Sequence, residues 1–378
     1  MLNAYRFVVA LFVCSAVVAS ATTESVLPRM EVYERFVAID QACGWPLLVN
    51  LPDGEIGAFL WPMSNHGFSE GAVEFWSSRD GGRSWQRVGV PVPNQPTQNR
   101  MNHAGGVTPD GRLVALVSGW TGRAPATTGA SSTELQAAAV PFDRSRTLAP
   151  VPAVSTDGGR SWQQFPAIAP GASADAQGEV PYGRMGQLGS GELGVFLYRE
   201  GVHFYTSADD GETWQRRGQL AGDSTRNETA WVRLTNGELL AASRTDGSAS
   251  VVAYRSRDDG HTWTEEQPLT LPGQHPADLL LLPNGQVLLS YGVRNQGHWA
   301  IHLRWGDAEG RRWSAPTVLV ELEGATDQRF TAQPSRDGGY PSTVRLDDGT
   351  FVTAYYSRGM PSHNRYHVGV VRWKLDGK

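Results

Sequence analysis

The sequence predicts an all-β protein, a six-bladed β-propeller, on three observations: two turn motifs recur, they interleave along most of the chain, and almost no helical periodicity separates them. The first motif is Ser-x-Asp-x-Gly-x-Ser/Thr-Trp. It stands at Ser78-Arg79-Asp80-Gly81-Gly82-Arg83-Ser84-Trp85, at residues 155–162, 207–214 and 256–263, and in decayed form at 306–313. After the first interval its tryptophans (Trp85, Trp162, Trp214, Trp263, Trp313) fall about 50 residues apart, the length of a four-stranded blade.

The second motif places an apolar residue or Thr before a two-residue turn closed by Gly. Its copies are Leu51-Pro52-Asp53-Gly54, Thr108-Pro109-Asp110-Gly111, Leu188-Gly189-Ser190-Gly191, Leu234-Thr235-Asn236-Gly237, Leu282-Pro283-Asn284-Gly285 and Leu346-Asp347-Asp348-Gly349. Asp-Gly and Asn-Gly supply the positive φ angles of tight hairpins, and flanks such as Glu238-Leu239-Leu240-Ala241-Ala242 read as strands. Six hairpins of one kind predict six blades.

The remaining segments bound the class. Residues 1–21 read as an export signal, with Arg6, an apolar run over 7–18, and small residues at Ala19 and Ala21. That run is too short to span a bilayer, and nothing later approaches the roughly 18 apolar residues a span needs. Residues 22–378 are therefore expected to form one propeller domain, secreted or periplasmic, without membrane contact after cleavage. Val13 argues against a lipid anchor on Cys14. Cleavage leaves Cys43 as the only thiol, so stability rests on burial rather than on a disulfide, and 13 Trp supply large apolar area. A formal charge of −5 argues against nucleic acid as a partner. The widest gap between motifs, residues 121–150, reads as a surface insertion, with 133–140 as its one short helix. The His and acidic residues show no zinc or calcium spacing, and the glycines belong to turns rather than to a phosphate loop, so no metal or cofactor is expected.

The first motif resembles the Asp-box, or BNR repeat, of the sialidase (neuraminidase) superfamily, and the resemblance covers nearly the whole mature chain. It implies a propeller of the sialidase type in which the box Asp accepts bonds from turn amides, the Gly takes a positive φ and the Trp packs between blades. Asp-boxes are scaffold and occur in propellers without hydrolase activity, so the chemistry must come from residues facing the axis. In the superfamily three arginines clamp a substrate carboxylate, a Tyr paired with a Glu attacks the anomeric carbon, and an Asp is the acid/base. By that resemblance Glu228 and Arg244 flank the fourth short turn, Arg294 follows the fifth as a further clamp residue, and Tyr340 precedes the sixth as nucleophile. A phenol has a pKa of about 10, so it attacks only if a neighbour such as Glu228 takes its proton.

The chain departs from the superfamily pattern twice. Gly44, in Cys43-Gly44-Trp45-Pro46, stands where the first clamp Arg is expected. His66 stands twelve residues before Ser78, where the acid/base Asp is expected, with Glu70 nearby as a second candidate. Arg100 or Arg184 is a candidate replacement guanidinium, His103 a competing acid, and Asn102 a further substrate contact. His275 and Asp278 read as ties between blades. The resemblance implies an exo-α-sialidase-like glycoside hydrolase that releases a terminal acidic sugar, sialic or uronic, from a glycan or polysaccharide with retention. A polysaccharide lyase using a His/Tyr pair on a uronate is the alternative enzyme, and a non-catalytic glycan-binding propeller the alternative binder.

Overall fold

The computed structural model describes residues 29–67, 69–121, 146–169, 177–222, 225–295, 297–322, 338–360 and 363–375. Among these the two turn motifs occupy fixed places in a repeated four-stranded meander. The short turn joins the first and second strands of each blade, and its closing glycines take φ between +76° and +92°. In five of the six turns that glycine's amide donates to the carbonyl three residues back, at 2.9–3.1 Å. Only glycine adopts this conformation without strain, which is why the motif ends on it.

The Asp-box joins the third and fourth strands. In the first copy Asp80 accepts from the amides of Arg83 (3.0 Å) and Ser84 (2.9 Å) and from the Ser84 hydroxyl (2.6 Å), while the Trp85 indole N–H donates to the Gly82 carbonyl (2.9 Å). The box glycine has a second reason besides its φ. A Cβ on Gly159 would lie 2.2 Å from Phe75, one on Gly211 2.3 Å from Val114, and one on Gly260 2.4 Å from Phe204. Each box therefore seats its glycine directly on the preceding blade.

The innermost strands are Leu47–Asn50, Gln98–Val107, Val180–Gln187, Arg226–Arg233, Gln274–Leu281 and Gly339–Arg345, for blades 1 to 6 in order. Each touches the next and the sixth touches the first, which closes a ring. Blades 2 and 3 are also joined edge to edge by a short parallel pairing of Gly183 with Ala104 and Arg184 with Gly105. The apolar core forms six layers, one between each pair of neighbouring blades; the layer between blades 5 and 6, for example, holds Leu288, Ile301, Phe351 and Trp373. A seventh cluster, containing Trp61, Met101, Tyr340 and Tyr356, sits by the axis.

Closure of the ring explains why six blades carry five Asp-boxes. The fourth strand of blade 6 is Met30–Asp40 from the N-terminal end, paired antiparallel with His363–Leu375. No chain passes between those two strands, so no turn exists there for a box to form. The third strand of blade 2, Thr147–Ser155, begins inside the stretch read as an insertion. Residues 122–145, the expected helix within them, and the expected export signal lie outside the described residues.

Candidate active site

The inner strands and the ends of the second strands surround a cavity of about 250 Å³ at one end of the ring, whose wall includes Trp45, His66, Tyr182, Glu228, Arg244 and Tyr340. Tyr340 is the second residue of the inner strand of blade 6, follows Gly338 and Gly339, both at positive φ, and is itself held at φ +51° immediately before Pro341. A bulky L-residue in the left-handed region costs about 1–2 kcal/mol, and such strain persists only where the surroundings impose it. Here the restraint is a hydrogen bond across the cavity: the Tyr340 hydroxyl donates to Glu228 Oε1.

Glu228 reaches that position from an irregularity between Arg226 and Thr229 on the inner strand of blade 4, and its second oxygen accepts from Arg244 Nη1 at 2.8 Å. Phenol, carboxylate and guanidinium thus form one relay. Burial, then the Glu228 charge, push the Tyr340 phenol far above its ordinary range, against the opposing pull of Arg294 and Arg244. At rest the hydroxyl is protonated, and Glu228 is the acceptor already in place for its proton.

Arg294, at the end of the second strand of blade 5, lies with its guanidinium carbon 5.3 Å from the centre of the Tyr340 ring. It does not stand on the cavity wall. His66 does, and its ring meets the edge of Trp45 at 4.8 Å between centroids. His103 also lines the cavity, but its Nδ1 is bonded to the Met101 carbonyl (3.2 Å). Burial lowers it to about 4, although carbonyls of Met101, Trp45 and Phe59 draw the other way. A ring that stays neutral above pH ~5 offers no imidazolium proton in the range where a general acid is most effective.

Two of the candidate guanidiniums are placed elsewhere. Arg184 sits on the axis beneath the cavity and uses all three of its nitrogens there: it donates to the carbonyls of Leu48, Leu279 and Thr343, to Ser342 Oγ and to Asp278 Oδ2, at 3.0–3.3 Å. One side chain from blade 3 thereby ties blades 1, 5 and 6, and it stands off the cavity wall. Asp278 is its partner; burial pushes that carboxyl up while Arg184 and the Thr343 amide hold it down. Arg100 donates to the Ala149 carbonyl at 3.2 Å and is likewise off the wall. Glu70 accepts from the Thr97 amide at 2.8 Å.

Two polar atoms of the wall have no hydrogen-bond partner although buried: Asn102 Nδ2 and Arg244 Nε. Buried donors are nearly always paired, so these two are exceptions among the wall residues. His275 Nδ1 is also buried and unpartnered; burial, then the charges of Arg294 and Arg244, lower that imidazole to about 2. Sequence reasoning missed the aromatic wall. Trp45, Trp120, Tyr182 and Tyr198 all line the cavity, yet an aromatic side chain in or beside a strand carries no signal that separates a wall from a core. Among the described residues no group of three or more His, Cys, Asp or Glu could hold a metal ion.

The sequence profile of the BNR repeat-like domain matches residues 140–353. Among solved structures the chain is similar to a protein of unknown function from Dyadobacter fermentans, at 22% identity and a TM-score of 0.72 over 92% of this chain and 100% of that one. It is also similar to the Trypanosoma rangeli sialidase in complex with the inhibitor DANA (17%, TM-score 0.61, 88% and 55%) and to a variant of the NanB sialidase from Streptococcus pneumoniae (14%, TM-score 0.60, 89% and 69%). The chain spans about half the length of the trypanosomal enzyme. No curated protein matches it.

Proposed function

The chain belongs to the BNR repeat-like domain family, and from that premise we propose that it is an exported glycoside hydrolase that removes a terminal acidic sugar with retention of configuration. The observation that carries the reading is the hydrogen bond from the Tyr340 hydroxyl to Glu228, made between blades 6 and 4 and maintained against backbone strain. In the first step the phenol oxygen bonds to the anomeric carbon as its proton passes to Glu228. The glycosidic C–O bond breaks, and His66 delivers a proton to the leaving oxygen. In the second step His66 takes a proton from water, the water oxygen bonds to the anomeric carbon, and the Tyr340 oxygen leaves and recovers its proton from Glu228. Two displacements give net retention.

The acidic substrate is supported by the local charge. Arg244 is on the wall and Arg294 behind Tyr340, while the Glu228 carboxylate offsets only one of them. A lyase remains the second reading because His66 and Tyr340 both abut Trp45, at 4.8 and 5.9 Å between rings; it would yield an unsaturated, ultraviolet-absorbing product. The test is Tyr340→Phe assayed on aryl glycosides of acidic sugars. Turnover should fall by about 10³ or more while the thermal transition survives. Undiminished hydrolysis in that variant would remove Tyr340 from the chemistry.

A further inference from the structure

Two guanidiniums act on Tyr340, and they are differently occupied. Arg244 stands on the cavity wall and is bonded to Glu228 at 2.8 Å, so a carboxylate meets its charge before any substrate arrives. Arg294 stands off the wall and meets the Tyr340 ring, with its guanidinium carbon 5.3 Å from the ring centre. The phenol is protonated at rest. Arg294 therefore faces a neutral ring that gains negative charge only during reaction.

A close approach of blades 5 and 6 builds that position. A Cβ on Gly339 would lie 3.5 Å from the Gly292 Cα and 3.9 Å from Arg294 Nε and Nη2, so the guanidinium packs on the backbone immediately before Tyr340. Its own backbone is fixed from two sides. The Arg294 amide donates to the Gly273 carbonyl at 2.9 Å, and the residue pairs across the ladder with the buried Trp299. Of the two cations, Arg294 pulls the phenol's proton affinity down further than Arg244 does.

In the first displacement such a cation has opposed effects: the phenol gives its proton to Glu228 more readily, but the resulting oxygen attacks more weakly. The second displacement has no such cancellation. There the bond from the anomeric carbon to the Tyr340 oxygen breaks and its electron pair goes to that oxygen, which recovers a proton from Glu228. The water oxygen bonds to the carbon as His66 takes the water's proton. Charge that builds on the departing oxygen is stabilised by a cation already fixed beside it, without reorganisation. We propose that Arg294 is a positioning residue that acts through Tyr340, stabilising the phenol oxygen as the leaving group of the second displacement, rather than a contact for the substrate. The assignment rests on the hydrolase reading of the site and gives its second step a residue.

The experiment uses the full chain and its Arg294→Gln and Arg294→Lys variants on p-nitrophenyl glucuronide, galacturonide and N-acetylneuraminide, whose activated aglycone leaves readily and shifts the burden to the second displacement. On whichever of these the wild type cleaves, Arg294→Gln should lower kcat by about tenfold or more, lower KM in step, and leave kcat/KM within about threefold. Rapid-quench mass measurement should then show the glycosyl-protein accumulating towards one equivalent. Arg294→Lys keeps the charge and should restore kcat to within about threefold of wild type. Calorimetric binding of the matching free sugar acid should be the same in Arg294→Gln as in wild type. An unchanged kcat, a kcat/KM that falls as far as kcat, weaker binding of the free acid, or an Arg294→Lys variant no better than Arg294→Gln each overturns the assignment and leaves the hydrolase reading intact. A wild type that cleaves none of the three fails the hydrolase reading, and the assignment falls with it. Should Arg294→Gln fail to fold, Arg294→Met, which retains an unbranched packed stem, takes its place under the same criteria.

Discussion

Acidification from pH 7.5 to about 5.5 should destabilise the fold by an amount set by three buried histidines. Burial, against carbonyl contacts, lowers His103 to about 4; burial and two guanidiniums lower His275 to about 2; burial and the neighbouring His298 lower His302 to about 4. All three are less than a tenth exposed. In the unfolded chain each titrates near 6.5, so below that pH the unfolded state binds protons that the folded state refuses. The stabilisation is therefore complete above pH ~6.5 and is lost as the pH falls, by about 1.4 kcal/mol per histidine one unit below. Together the three remove about 4 kcal/mol at pH ~5.5, a large part of the 5–15 kcal/mol typical of a domain.

The Asp-boxes do not blur this window. Asp80 and Asp157 are held at about 2, Asp80 against the cost of burial by bonds from Ser84 and Ser78, and Asp157 chiefly by Ser161. Depressed carboxylates contribute above the unfolded value near 3.9, and their loss begins only below pH ~4. Urea unfolding followed by tryptophan fluorescence at the two pH values measures the drop, and His275→Gln should remove about a third of it. An unchanged stability between pH 7.5 and 5.5 would refute the claim that these rings are neutral in the fold.

Two further predictions concern the scaffold. Arg184→Ala should cost about 3 kcal/mol or more, because it leaves Asp278 buried without its cation and several axial acceptors without donors; a calorimetric Tm within a degree or so of wild type would contradict the axial-tie role. Gly260→Ala should destabilise by about 2–4 kcal/mol, since its Cβ would fall 2.4 Å from Phe204 at a φ of +93°. An unaltered urea midpoint in that variant would contradict the account of the box glycine.

The fold was legible because its turns are local. Asp80, Gly82 and Trp85 complete their bonds within six residues, so the sequence pattern is the structure. The strand that closes the ring carried no such mark: Met30–Asp40 pairs with His363–Leu375, over 300 residues away, and only its partner makes it a fourth strand. Tyr340, Glu228 and Arg244 were picked out by their resemblance to the superfamily's residues, with the turns fixing where along each blade to look. What separated Arg184 from Arg294 was not readable. Both follow a glycine-containing stretch in a blade, yet the one is pinned by carbonyls of three other blades and the other lies beside Tyr340, a difference made only by convergence on the axis.

Covalent trapping tests the central claim most directly. A fluorinated glycosyl fluoride of whichever acidic sugar the protein cleaves would slow the second displacement, and peptide mapping by mass spectrometry would then locate the sugar. The account predicts the adduct on the Tyr340 oxygen and none in Tyr340→Phe. An adduct on another residue, or a product released with inverted configuration and no adduct at all, would contradict it.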